Sequence, residues 1–179
     1  YSPERINPGD KNHSINKINK IVSYPNKDCL VSLKKVYKKL GKKIFYTSHI
    51  KAAETAKVVE NIQRDLNIAF INEIFIFCHI NKIRFDEVIK LASTKWNFLK
   101  FKPGLVGGHC LPVDPYYFAE AAKKKGQKTK VTLSGRYINN FMTKFISSLI
   151  LKKIVKHNLN EKKIALAGMT YKKNVPDFR

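Results

Sequence analysis

The stretch that decides the fold is Ile50-Lys-Ala-Ala-Glu-Thr-Ala-Lys-Val-Val-Glu-Asn-Ile-Gln-Arg-Asp-Leu-Asn-Ile-Ala-Phe-Ile-Asn-Glu-Ile-Phe-Ile-Phe-Cys-His-Ile80. It contains neither glycine nor proline, and Ala52, Ala53, Ala56 and Ala69 favour helix, so it predicts one long helix over 50–80. Its second half, from Ile68, is apolar nearly all round, interrupted by Asn72, Glu73 and His79. A helix of that kind is buried, either in a core or against a second subunit.

Working outward on the N-terminal side, Lys43–Thr47 is a short β-prone run. Before it, Leu30, Leu33, Val36, Tyr37 and Leu40 recur at helical spacing over 28–40, with Gly41 placed to cap the helix. Helix followed by strand is an α/β edge. Ile15, Ile18, Ile21 and Val22 suit either a helical turn or the lead into a strand, and residues 1–10 are turn-rich, with Pro3, Pro8 and Gly9. On the C-terminal side, Phe85–Ala92 predicts a short helix, and Asp114-Pro115 reads as an N-cap and first helical proline, with Gly126 ending that helix. Residues 131–157 predict a second long helix, broken only by Gly135, with Ile138, Phe141, Met142, Phe145, Leu149 and Ile150 on its apolar side. Lys162–Gly168 has the pattern of a buried strand ending in glycine, the usual opening of a doubly wound α/β domain. The expected architecture is therefore a mainly α central domain, 49–160, flanked by partial Rossmann-like α/β edges at 1–48 and 161–179.

Bulk properties narrow the class. With 179 residues and 44% hydrophobic content the chain can bury one core or parts of two. It has no apolar run of membrane-spanning length and no secretory leader, so no membrane partner is expected. Three cysteines, Cys29, Cys78 and Cys110, without a C-x-x-C pair argue against a disulfide framework or a zinc ribbon and fit a reducing cytoplasm. The net charge of +22 raises a nucleic-acid or scaffold module as a rival reading. That reading calls for basic residues clustered on one face, whereas here lysines are spread along the chain beside abundant Asn, Ile and Tyr, all with A/T-rich codons. The sequence opens on Tyr1 and closes at Arg179 soon after a strand-like run, which reads as a piece of a longer protein.

The chemistry concentrates in residues 98–118, which hold Gly104, Gly107, Gly108, Pro103, Pro112, Pro115 and Cys110. A glycine pair before His109-Cys110 suggests a thiol in a tight loop that hugs a ligand. Cys110 has cations and free amides nearby in sequence to activate it, while Cys29 and Cys78 read as small buried hydrophobes. On the long helix, Glu54, Lys57, Asn61 and Arg64 share one polar stripe. That stripe is either a solvated face or, at Lys57 and Asn61, a pair of donors to a developing alkoxide. Asp114 reads as a base or, more simply, as the N-cap alone, and the two roles are compatible. His109 has no second histidine at ligand spacing, so no metal is expected, and Tyr116-Tyr117-Phe118 reads as core packing. No G-x-G-x-x-G dinucleotide fingerprint is present.

Lys95-Trp96-Asn97-Phe98 through Pro103-Gly104-Leu105-Val106-Gly107-Gly108-His109-Cys110 to Val113-Asp114-Pro115-Tyr116-Tyr117 resembles the active-site loop of the nucleotide-sugar 6-dehydrogenases. Pro3-Glu4-Arg5-Ile6-Asn7-Pro8-Gly9, the segment 54–72 and Tyr171-Lys172-Lys173 with Asp177 and Arg179 match in the same order, so the resemblance spans the chain. It is strongest to the branch that oxidises UDP-N-acetylhexosamines for surface polysaccharides: Pro8 and Val113 stand where the UDP-glucose branch has glutamate and lysine. The resemblance implies a four-electron oxidation with NAD, in which Lys57 and Asn61 stabilise an oxyanion and Asp114 assists through water. Cys110 would trap the aldehyde, and Glu4 would serve as base for thioester hydrolysis. It further implies that Phe98, Leu99, Lys100, Gly104, Gly107, Gly108 and Lys172 bind the UDP-sugar, that Arg179 contacts the cofactor, and that the long helix forms a homodimer. Lacking most of both nucleotide-binding domains, the fragment is expected to be inactive alone. A degenerate remnant without catalytic role is the remaining alternative.

Overall fold

The computed structural model describes residues 1–7, 9, 10, 12–157, 163–165, 167, 168, 170 and 175. They form two compact units: one holds residues 1–60 with 170 and 175, the other residues 61–168.

In the first unit, strand β1 (Asn19–Ser23), helix α1 (Lys27–Tyr37) and strand β2 (Lys43–Thr47) make a βαβ unit. The strands pair in parallel, from Asn19 opposite Lys43 to Ser23 opposite Thr47. A 3-10 turn at Ile15–Lys17 precedes β1, so the isoleucine series serves as both turn and strand. Helix α1 starts where it does because the Asn26 side chain accepts the Cys29 N–H at 2.9 Å. It ends at Tyr37, so Gly41 is not its cap as the sequence suggested. Gly41 instead takes φ +130°, and a Cβ there would stand 3.1 Å from the Ile18 carbonyl oxygen.

Helix α2 runs over Ile50–Ile80, the limits expected from its lack of breakers. Its residues from Asn61 onward belong to the second unit, with α3 (Phe85–Ala92), α4 (Asp114–Lys123) and α5 (Lys130–Lys156). Ile71, Cys78 and Met142 are among the most buried apolar residues of this unit, and Phe75 meets Phe85 and Phe145 edge-on. Gly135 does not break α5. It lets α5 approach α2, since a Cβ there would lie 2.5 Å from Leu66 Cδ2. The protein is thus mainly helical, with a small parallel sheet.

Several expectations fail. The second half of α2 is not covered all round within this chain, where Phe70, Phe77 and Ile80 are each more than half exposed, so of the two expected kinds of burial the one in the chain's own core is incomplete. Tyr116 and Tyr117 are exposed too and do not pack in a core. Asp114 is the first residue of α4 rather than its cap, a position held by Val113. Of the strand expected over 162–168, Lys163, Ile164, Ala165, Ala167 and Gly168 carry no strand structure, and the other two positions lie outside the described residues. Among the described residues no helix is long and apolar enough to cross a membrane.

Candidate active site

In the second unit the decisive contact joins α2 to α4. Asn61, buried to 3% exposure, donates from Nδ2 to Asp114 Oδ2 at 2.6 Å. The short distance marks a charge-assisted hydrogen bond, and it explains why Asp114 does not cap its own helix. Its carboxylate is taken by a residue 53 positions earlier. The Cys110 carbonyl accepts the Val113 and Asp114 N–H groups at 3.1 and 2.9 Å, which fixes the turn that leads into α4. The Cys110 side chain is exposed, Cys29 is half-buried and Cys78 is buried, and all three are free thiols. Gly108, two residues before Cys110, takes φ +88°, a conformation that glycine adopts without strain.

The stripe drawn through Glu54, Lys57, Asn61 and Arg64 is not uniformly solvated. Glu54 and Arg64 are exposed, Lys57 is half-buried and Asn61 is buried. In the loop before Cys110, Phe98 and Leu99 line a cavity of about 260 Å³ with Phe70, Ile71, Lys95 and Phe101. Lys100 is exposed, while Gly104, Gly107 and Gly108 are half-buried.

In the first unit, Glu4 Oε1 accepts the backbone N–H groups of Ile6 and Arg5 at 2.8 and 2.7 Å, and Oε2 lies 3.9 Å from the buried Lys20 ammonium. The Ile6 amide above all, opposed by burial and then joined by the Arg5 amide and the Lys20 and Lys57 charges, holds this carboxyl below its ordinary value of 4.5. Glu4 is therefore ionised throughout the neutral range. Arg5 grips both oxygens of Glu60, at 2.6 Å from Nη2 and 3.3 Å from Nε.

Lys172 and Arg179, with Pro8, Tyr171 and Asp177 of the sequence motifs, lie outside the described residues. Among the described residues no cluster of three His, Cys, Asp or Glu is placed to hold a metal ion. The βαβ unit carries no glycine-rich turn to cradle a dinucleotide diphosphate, so the residues present do not fit NAD by themselves.

Sequence reasoning missed a buried polar set under the loop. Asn72, at 0% exposure, bonds the Gly104 backbone in both directions and also donates to Asn139. Asn139 donates to Asp65, and Asp65 pairs with Arg136 at 2.6 Å. One signal was available: Asn61, Asp65 and Asn72 stand at i, i+4 and i+11, a polar line on one face of the helix.

The model of the UDP-glucose/GDP-mannose dehydrogenase family, central domain, matches residues 51–141. This chain belongs to that family. It is 47% identical to Protein CapL of Staphylococcus aureus and 43% identical to the UDP-N-acetyl-D-glucosamine 6-dehydrogenase of Pseudomonas aeruginosa, in each case over its whole length and 43% of theirs. Among solved structures, the UDP-D-ManNAc dehydrogenase of Pyrococcus horikoshii superposes with a TM-score of 0.85 at 32% identity, covering 99% of this chain and 43% of that one. The chain thus spans about two fifths of the length of the curated relatives it matches.

Proposed function

We propose that this chain is the central, cysteine-bearing part of a cytoplasmic NAD-dependent UDP-N-acetylhexosamine 6-dehydrogenase that makes a uronic acid for surface polysaccharide. The observation that carries the reading is the 2.6 Å bond between Asn61 and Asp114, which ties an amide donor on α2 to a carboxylate on α4, the helix that Cys110 leads into. Both the relatives' names and the residues Pro8 and Val113 support an N-acetylhexosamine as the sugar. We assign residues 1–48 to the end of an NAD-binding domain, 49–160 to the central domain and 161–179 to the start of a UDP-binding domain.

In the parent protein, where residues outside this chain would hold the cofactor, two NAD molecules in turn would each supply the acceptor for one of the two hydrides that leave the sugar C6; the residues of this chain handle oxygen, sulfur and protons. As the C6 alcohol is oxidised, Lys57 and Asn61 donate to the developing oxyanion, and Asp114 passes the hydroxyl proton to water. The Cys110 thiolate adds to the aldehyde carbon, giving a thiohemiacetal, and loss of the second hydride leaves a thioester. Water attacks that carbonyl, the Cys110 thiolate departs, and Glu4 accepts the proton through Oε2, since Oε1 is committed to two backbone amides. Phe98, Leu99, Lys100, Gly104, Gly107, Gly108 and Lys172 hold the UDP-sugar, and Arg179 contacts the cofactor. The exposed Phe70, Phe77 and Ile80 on α2 suit burial against a second copy of the chain, a homodimer through the long helix.

The test uses the full-length protein that carries this segment, supplied with UDP-N-acetylglucosamine and NAD. Wild type should form two NADH per sugar, Cys110→Ala should form no uronic acid, and the isolated 179-residue chain should reduce no NAD. Acid formation by Cys110→Ala at the wild-type rate would sink the nucleophile assignment.

A further inference from the structure

The loop over 98–108 has no regular secondary structure, yet both backbone polar groups of one residue are held as a neighbouring strand would hold them. Gly104 donates its N–H to Asn72 Oδ1 at 2.8 Å and receives Asn72 Nδ2 on its carbonyl at 3.0 Å. A single side-chain amide thus satisfies both backbone polar groups of one loop residue. The orientation of that amide is fixed, because Oδ1 must face the Gly104 N–H and Nδ2 must face acceptors. The second Nδ2 hydrogen goes to Asn139 Oδ1 at 2.8 Å, and Asn139 Nδ2 is held by the Asp65 carbonyl and carboxylate at 3.0 and 2.7 Å.

The same buried set reaches the other end of the loop. Arg136 bonds Asp65 at 2.6 Å and Asn140 at 2.6 Å, and Asn140 donates to the Tyr116 hydroxyl on the first turn of α4 at 3.1 Å. A continuous line of hydrogen bonds therefore runs from Gly104 to the helix that follows Cys110. Asn72, Asp65, Arg136 and Asn139 are each at most 3% exposed, and such groups are costly to bury for packing alone.

We propose that Asn72 is a positioning residue for the substrate loop: it presets the Gly104 peptide, and through it the glycine-rich backbone, in the conformation that receives the UDP-sugar. This rests on the dehydrogenase reading, in which Gly104 is a substrate-binding residue. Asn72 acts through the loop and takes no part in proton or hydride transfer. Removing it should weaken sugar binding and spare the chemical step.

Two measurements on the full-length protein test this, one independent of activity. In the unsubstituted, ligand-free protein the Gly104 amide should exchange with solvent about 100-fold more slowly than that of exposed Lys100 in the same loop. Exchange at the Lys100 rate would overturn the clamp, whether or not the enzyme accepts any UDP-sugar. In Asn72→Ser, loss of two loop hydrogen bonds should raise KM for the UDP-sugar about tenfold at unchanged kcat. An unchanged KM, or a loss confined to kcat, would overturn the positioning role. Absence of NAD reduction by the unsubstituted protein with every UDP-N-acetylhexosamine would instead strike the dehydrogenase reading and leave the exchange result to decide the clamp.

Discussion

Two ion pairs, one in each compact unit, set the halves of the chain apart. Arg136 and Asp65 meet at 2.6 Å with side chains 3% and 1% exposed, and they leave Arg136 Nε and Asp65 Oδ2 without partners. Arg5 and Glu60 meet at the same distance with side chains 29% and 33% exposed, and both carboxylate oxygens are used. Distance alone would rank them equal, whereas burial separates them. The helical unit commits desolvated charge to hold its loop and its α2–α5 contact in one arrangement, a cost that the hydrogen bonds from Asn139 and to Asn140 offset in part. In the first unit Lys20 is buried, but the Arg5–Glu60 pair and the Glu4 carboxyl stay near water, which suits a carboxylate that is proposed to deprotonate a water molecule.

The largest effect expected from this difference is at Asp65. Asp65→Ala strands a buried guanidinium, so it should lower the unfolding free energy of the full-length protein by about 3–5 kcal/mol in a urea titration. A loss below about 1 kcal/mol would mean that Arg136 finds water. The smallest effect is expected at Arg5. Arg5→Ala should cost at most about 1 kcal/mol, and that cost should shrink as salt rises, because the pair is partly exposed. If the Arg5 variant proved as damaging as the Asp65 variant, burial would not be what distinguishes the two sites.

The sequence disclosed elements more readily than contacts, for a physical reason. Helix α2 was legible to its ends because the absence of Gly and Pro over 50–80 is a local property, and so was β2, a compact β-prone run. Asp114 was misread as a cap because capping rules consider only neighbours in sequence, whereas its carboxylate answers to Asn61. Gly41 and Gly135 were read as a cap and a breaker, yet Gly41 takes φ +130° with a tight approach to the Ile18 carbonyl, and Gly135 sits where a Cβ would meet Leu66 at 2.5 Å. Asn72, Asp65, Arg136 and Asn139 escaped because two helices must pack before their polar positions can pair. Residue type and spacing singled out Cys110, Lys57 and Asn61 with alternatives left open; the roles proposed for them, and Glu4 altogether, come from the family resemblance.

The central claim is that Cys110 carries the substrate as a thioester. Its most direct test slows hydrolysis by Glu4→Gln in the full-length protein, mixes it with UDP-N-acetylglucosamine and NAD, quenches in acid and weighs the Cys110 peptide. The peptide should carry the acyl sugar nucleotide, formed as two NADH appear per site. NADH formation with that peptide still at its native mass would contradict the account.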